Sequence, residues 1–244
     1  MNATENRKKE TKEMDKVKTP DETYSKQIVR LITETFKKKH KVYLMTDLHL
    51  FVRDDKGKLT CHHRANFKDI LKNYTDVVNA KDLVIFMGDL VDGEFQEKEQ
   101  LRDIMLTLPG RKVLVRGNND LFSYEFYRSC GFAYITREFI WNQIVFTHVP
   151  INLPKNCLMN VHGHIHNFKT YYVPYNNHID VAYVGGREKP VELHTVLDAQ
   201  KEYSKHIKEC PEHFNEYAEM NYSAFDLALM SAGIYPFIQD PYTD

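Results

Sequence analysis

Three short apolar runs, at residues 42–45, 83–87 and 113–115, each enter a polar, acid-bearing turn, and a helical pattern separates each from the next. This β-α-β-α-β punctuation predicts parallel strands joined by crossover helices. The crossover helices are read from Phe67, Ile70, Leu71, Tyr74, Val77 and Val78, and from Leu101, Ile104, Met105 and Leu108, with Pro109-Gly110 stopping the second. A further amphipathic helix precedes them. Tyr24, Ile28, Leu31, Ile32, Thr35 and Phe36 recur at helical spacing and lead into the basic run Lys37-Lys38-Lys39.

After Asp120 the rhythm changes to strand-like segments with short links, at 134–140, 144–147, 158–162, 170–173 and 179–184. A second, partly antiparallel sheet is the simplest arrangement, with Asn142-Gln143 as a tight hairpin turn. Helical spacing returns after Pro190 through Leu193, Val196, Leu197 and Tyr203, and an aromatic-rich stretch follows from Phe214 to Tyr242. The organisation expected is a flexible lead-in over 1–20, a domain over 21–200 that includes the N-terminal helix, and a helical, aromatic-rich extension over 201–244. Residues 1–20 carry too few apolar side chains to offset the entropy of ordering.

Composition narrows the partners. The 33 Lys and Arg nearly balance the 34 Asp and Glu, so no global field draws the chain to nucleic acid or to an anionic membrane. Cys61, Cys130, Cys157 and Cys210 form no Cys-x-x-Cys pair, and the N-terminus has no apolar leader. Reduced thiols and a cytoplasmic location are expected.

Five polar clusters stand where strands end: Asp47-Leu48-His49, Gly88-Asp89-Leu90-Val91-Asp92-Gly93, Gly117-Asn118-Asn119-Asp120, Thr147-His148 and His162-Gly163-His164-Ile165-His166. A single Asp-x-His, or a histidine such as His148 after a strand, is ordinarily structural. Five in succession at strand ends, where open α/β sheets bind ligands, point to one site. Asp, His and Asn together supply the hard oxygens and borderline imidazoles that hold Mn²⁺, Fe²⁺ or Zn²⁺. Two such cations acting on a phosphate need a carboxylate between them, and Asp89, at a Gly turn after an apolar strand, is the natural bridge. Gly88 and Gly163 allow close backbone approach, and Gly117 is expected to turn the chain so that Asn118 points inward.

In this order the motifs resemble those of the calcineurin-like metallophosphoesterases, from about residue 41 to residue 197. The stretch Leu108-Pro109-Gly110-Arg111-Lys112-Val113-Leu114-Val115-Arg116-Gly117-Asn118, with Thr147-His148-Val149-Pro150 and Pro190-Val191-Glu192, is similar to the small bacterial and phage branch. The resemblance implies a four-layer α/β/β/α sandwich of two mixed sheets. It implies two divalent transition-metal ions, Mn²⁺ foremost with Fe²⁺, Zn²⁺ or Ni²⁺ as alternatives. Asp47, His49, Asp89 and His166 would hold one ion, and Asp89, Asn118, His148 and His164 the other. Asp92 would orient a ligating histidine.

The activity implied is hydrolysis of a small-molecule phosphate mono- or diester by a hydroxide held between the metals, with His148 and Arg64 offsetting the growing charge. His62, His63, Arg116 and His162 are further candidates for substrate contact. One position departs from the family. Where Gly-Asn-His-Asp/Glu is usual, this chain has Gly117-Asn118-Asn119-Asp120, so the histidine that protonates the leaving oxygen is missing and Asp120 would orient rather than protonate. Nucleotide-derived phosphodiester or pyrophosphate cleavage, and a degenerate interaction scaffold of the same fold, are the competing expectations.

Overall fold

The first helix, α1 (Pro20–Lys37), buries Ile28, Leu31, Ile32 and Thr35 along one stripe. It closes with a Schellman turn: His40 N–H donates to Thr35 O at 3.1 Å and Lys39 N–H to Phe36 O at 2.9 Å. Lys39 takes the left-handed position at φ 58°, where glycine would cost less. The computed structural model describes residues 20–53, 59–60, 67–91, 98–164, 178–181 and 189–209. The lead-in 1–19, the strand expected at 170–173 and the aromatic stretch from Phe214 lie outside these residues.

The three founding runs are strands β1 (Val42–Met45), β4 (Leu83–Phe86) and β5 (Arg111–Val115), paired in parallel in the order β1-β4-β5. Between them run a two-residue hairpin, β2 (Val52–Arg53) with β3 (Leu59–Thr60), and helices α2 (Phe67–Val77) and α3 (Lys98–Thr107). The sheet is completed by β6 (Phe132–Thr136), parallel to β5, and by β11 (Val191–Glu192), antiparallel to β1. A second sheet holds β7 (Glu138–Trp141), β8 (Ile144–Thr147), β9 (Met159–His162) and β10 (His178–Asp180) in the order β10-β9-β8-β7. It is also mixed, since β7 runs antiparallel to β8 and the other neighbours are parallel.

Alternation along the strands sorts the core into two layers. Val42, Leu44, Ile85, Val113 and Val115 meet Phe139, Phe146, Met159 and Val161 between the sheets. Tyr43, Met45, Val84, Phe86 and Leu114 face the other way, onto Ile70 and Tyr74 of α2, Leu101 and Met105 of α3, and Tyr127 of a short helix α4 (Tyr124–Ser129). Helix α1 packs against β6 and β7, the edge strands of the two sheets, and a last helix α5 (Leu193–Glu209) packs on β1 and β11. The expected boundary at residue 200 therefore falls inside α5. The sequence pattern of an α/β protein with two mixed sheets is the architecture observed.

Two local readings change. The single strand expected over 134–140 is two strands in different sheets, broken at Arg137, where the Thr136 hydroxyl donates to Glu138 O at 2.7 Å and fixes the corner. Helix α4, with Ser123 Oγ accepting from Phe126 N–H as its N-cap, is too short to show a period. The Asn142-Gln143 hairpin forms without glycine, both residues lying at positive φ (52° and 60°) as a type I′ turn requires. Gln200 of α5 holds it in place, donating to Asn142 O at 2.8 Å and accepting from Asn142 Nδ2 at 3.1 Å.

Candidate metal centre

The loops after β1, β4, β5, β8 and β9 meet at one edge of the sandwich, and they are joined backbone to backbone. Asp47 N–H donates to Gly88 O at 3.0 Å, His49 N–H to Asp89 O at 3.0 Å, and Gly163 N–H to His148 O at 2.9 Å. Asp47, His49, Asp89 and His164 all sit at positive φ, between 39° and 71°. Non-glycine residues in that region are strained, and such strain concentrates where the surroundings hold a functional side chain in place.

Three glycines let the loops touch. A Cβ on Gly88, itself at φ 101°, would lie 2.5 Å from His148 Nδ1 and 2.6 Å from Gly117 N. One on Gly117 would collide with Asp89 Oδ1 and stand 2.6 Å from Asp89 N, and one on Gly163 would collide with Thr46 Oγ1 and Asp47 Oδ2. Gly117 is therefore required for close approach to Asp89, not for a left-handed turn; Asn118 remains exposed, with its Oδ1 3.1 Å from His148 Nε2.

The side chains gathered there form two triads whose ligand atoms lie within 4.8 Å of one another: Asp47, His49 and Asp89, and Asp89, His148 and His164. Asp89 belongs to both. Its Oδ2 stands 3.6 Å from His49 Nε2 and 3.2 Å from His148 Nε2. Burial pushes the Asp89 carboxyl up, but the His148 hydrogen bond and charge, the Asn119 N–H and His49 together hold it below the usual carboxylate range. Burial pulls His148 down, and Asp89 and Asp47 outweigh it, leaving the imidazole raised.

The donor set fits a cation. His148 Nδ1 is 2.8 Å from the Met87 carbonyl, an acceptor, so in the neutral ring Nδ1 carries the proton and Nε2 is left with a lone pair. That lone pair faces Asp89 Oδ2 at 3.2 Å and Asn118 Oδ1 at 3.1 Å, two further acceptors. These acceptors are satisfied when a positive charge lies among them, either a bound cation or the second proton of His148. Asp47 is held in turn by Thr46 Oγ at 2.7 Å and by His164 N–H at 2.9 Å, both donating to its Oδ2. Thr46 and the Met87 carbonyl escaped sequence reasoning; Thr46, a polar residue closing an apolar run, was the visible signal.

Other candidates fall elsewhere. Asp120 is 1% exposed and its carboxylate accepts from the N–H groups of Gly117 (2.8 Å), Asp89 (2.9 Å) and Leu90 (3.1 Å), so it ties the β4 and β5 loops together instead of orienting residue 119 toward substrate. Burial raises its carboxyl even against those three donors. Arg116 donates from its guanidinium to the carbonyls of Asp120 and Phe122, which spends it on the loop rather than on a substrate. His162 is fully buried behind Gly163, donates from Nδ1 to Gly163 O at 2.9 Å, and is pushed by burial down to about 4. Arg64, His62, His63, Asp92 and His166 lie outside the described residues.

The profile of calcineurin-like phosphoesterases matches residues 40–227. The chain belongs to the calcineurin-like phosphoesterase family. As a member it is similar to an uncharacterized protein of Methanocaldococcus jannaschii, 32% identical in an alignment of 90 residues that covers 35% of this chain and 50% of that one. The chain thus spans about half the length of the curated relative it matches. Among solved structures, a protein of unknown function from Aquifex aeolicus aligns with 64% of this chain and 97% of its own at 21% identity and a TM-score of 0.48. The Pseudomonas putida nuclease MPE aligns with 52% of this chain and 62% of its own at 16% identity and a TM-score of 0.39. No helix among the described residues is long and apolar enough to cross a membrane, and Cys130 and Cys157 are free, buried thiols.

Proposed function

We propose that this family member is a dinuclear metal-dependent phosphoesterase that hydrolyses a small-molecule phosphate mono- or diester. The observation that carries it is the sharing of Asp89 between the two Asp/His triads. A pair of divalent transition-metal ions, when bound, supplies Lewis-acid charge and a hydroxide nucleophile at neutral pH. The residues of the chain prepare for them. Met87 fixes the His148 tautomer, Thr46 and the His164 N–H fix Asp47, and Asn118 offers a carbonyl oxygen beside His148. By resemblance, His166 would complete the first ion's set and Arg64 would offset charge on the phosphoryl oxygens, whereas His148, with Nδ1 on the Met87 carbonyl and Nε2 toward the ion, has no proton left for that role. The imidazoles favour Mn²⁺ or Zn²⁺ over Mg²⁺, which prefers an all-oxygen octahedron.

The amide of Asn119 has no titrating proton, so at this position nothing protonates the leaving oxygen. Esters with good leaving groups, and diesters including nucleotide-derived ones, are therefore the substrates favoured. The test is a panel of aryl monoesters, aryl diesters and nucleotide phosphodiesters, assayed after chelation and after reloading with Mn²⁺ or Mg²⁺. Hydrolysis should vanish on chelation and return better with Mn²⁺. Undiminished turnover in chelator, or none on any ester after reloading, would sink the proposal.

A further inference from the structure

Asn119 stands where the sequence leaves its family pattern, and the structure gives it a definite occupation. Its backbone N–H donates to Asp89 Oδ1 at 2.9 Å and its side-chain Nδ2 donates to Asp89 Oδ2 at 3.0 Å, so one residue grips both oxygens of the carboxylate common to the two triads. Asp89 needs such a grip. It sits at φ 52°, is 1% exposed, and its Oδ2 lies between His49 and His148. Two donors from one residue, one on each carboxylate oxygen, oppose the rotation about χ2 that would otherwise let Asp89 favour one triad over the other.

We propose that Asn119 is a positioning residue for the bridging carboxylate, holding Asp89 so that it serves both cations at once. The inference rests on the dinuclear reading above, and the departure from histidine is on this account an exchange of roles, from a group facing the substrate to one fastened to a ligand. A methyl at 119 keeps the backbone donor and loses the side-chain donor. Partners of this kind typically change metal affinity by about 10–100-fold when removed. Asn119→His separates geometry from chemistry, because its ring Nδ1 is as many bonds from Cα as the amide Nδ2 and can donate to the same oxygen.

The experiment is calorimetric titration of the chelated full chain with Mn²⁺ alone, for the native protein, Asn119→Ala and Asn119→His, with circular dichroism to verify that each is folded. The native protein should bind two ions. Asn119→Ala should bind the first with little change and the second about 10–100-fold more weakly, and Asn119→His should restore the second. Two ions bound by Asn119→Ala with native affinities would overturn the positioning role and leave the dinuclear reading standing. A native protein that binds fewer than two ions would overturn the dinuclear reading, and this inference with it. Should Asn119→Ala not fold, Asn119→Leu, which keeps the volume and lacks the donor, takes its place, and two ions bound by it with native affinities would overturn the positioning role.

Discussion

Replacing Gly117 with alanine should damage the fold and the candidate metal centre together. The added methyl would stand 2.6 Å from Asp89 N and 2.8 Å from Asp89 Cγ, with Asp89 Oδ1 nearer still. Ordinary contact begins near 3.4 Å, so the β4 loop must retreat by roughly 1 Å. It has nowhere to go. Gly88, next to Asp89, has no room even for a Cβ beside Gly117 N and His148 Nδ1, and Asp120 ties both loops together. Overpacking of this kind costs about 1–3 kcal/mol, and for a chain of this length each kcal/mol lowers Tm by about 2–4 °C, giving a fall of about 2–12 °C. Mn²⁺ titration should weaken as well, because the atoms displaced belong to Asp89. Gly131→Ala is the control: Gly131 is at φ 86° with only Leu106 Cδ2 close, at 3.3 Å, so Tm should fall while Mn²⁺ binding holds. A Gly117→Ala protein with native Tm and native Mn²⁺ affinity would refute the loop packing described here.

Asp89→Asn keeps the shape but removes the charge between His49 and His148, and its amide would set N–H groups against the donors of Asn119; far-ultraviolet circular dichroism should be retained while Mn²⁺-dependent hydrolysis and paired metal binding are lost. Asn119→His should flatten the dependence of turnover on leaving-group basicity, with gains up to the roughly 10²–10⁴-fold of general acid catalysis for alkyl esters and little change for aryl ones. Parallel leaving-group plots for the two proteins would show that the proton comes from elsewhere.

Where a residue acts through its own side chain at the end of an apolar run, its place could be read from the sequence: Asp47, His49, Asp89, His148 and His164 converge as their positions after β1, β4, β8 and β9 imply. Burial on both faces made those runs continuous and easy to see. Roles that depend on what lies opposite could not be read. Asp120 looks like a turn acid until three backbone N–H groups are seen to point at it, and Arg116 looks like a phosphate-binding cation until its donors are found on the carbonyls of its own loop. Chain reversals of one residue are likewise invisible to periodicity. Ile135 and Thr136 are both buried, so the alternation across 134–140 gives no sign that the chain leaves one sheet for the other at Arg137. Asn119 was legible as a departure, whereas its grip on Asp89 required the loops to be brought together.

The central claim is that one carboxylate serves two cations. The most direct measurement is elemental analysis of the chelated chain after reloading with Mn²⁺ and removal of excess metal, alongside electron paramagnetic resonance for the magnetic coupling that a shared bridge produces. Two ions per chain with a coupled signal is the result predicted. One ion per chain at saturation, or two with independent signals, would contradict it.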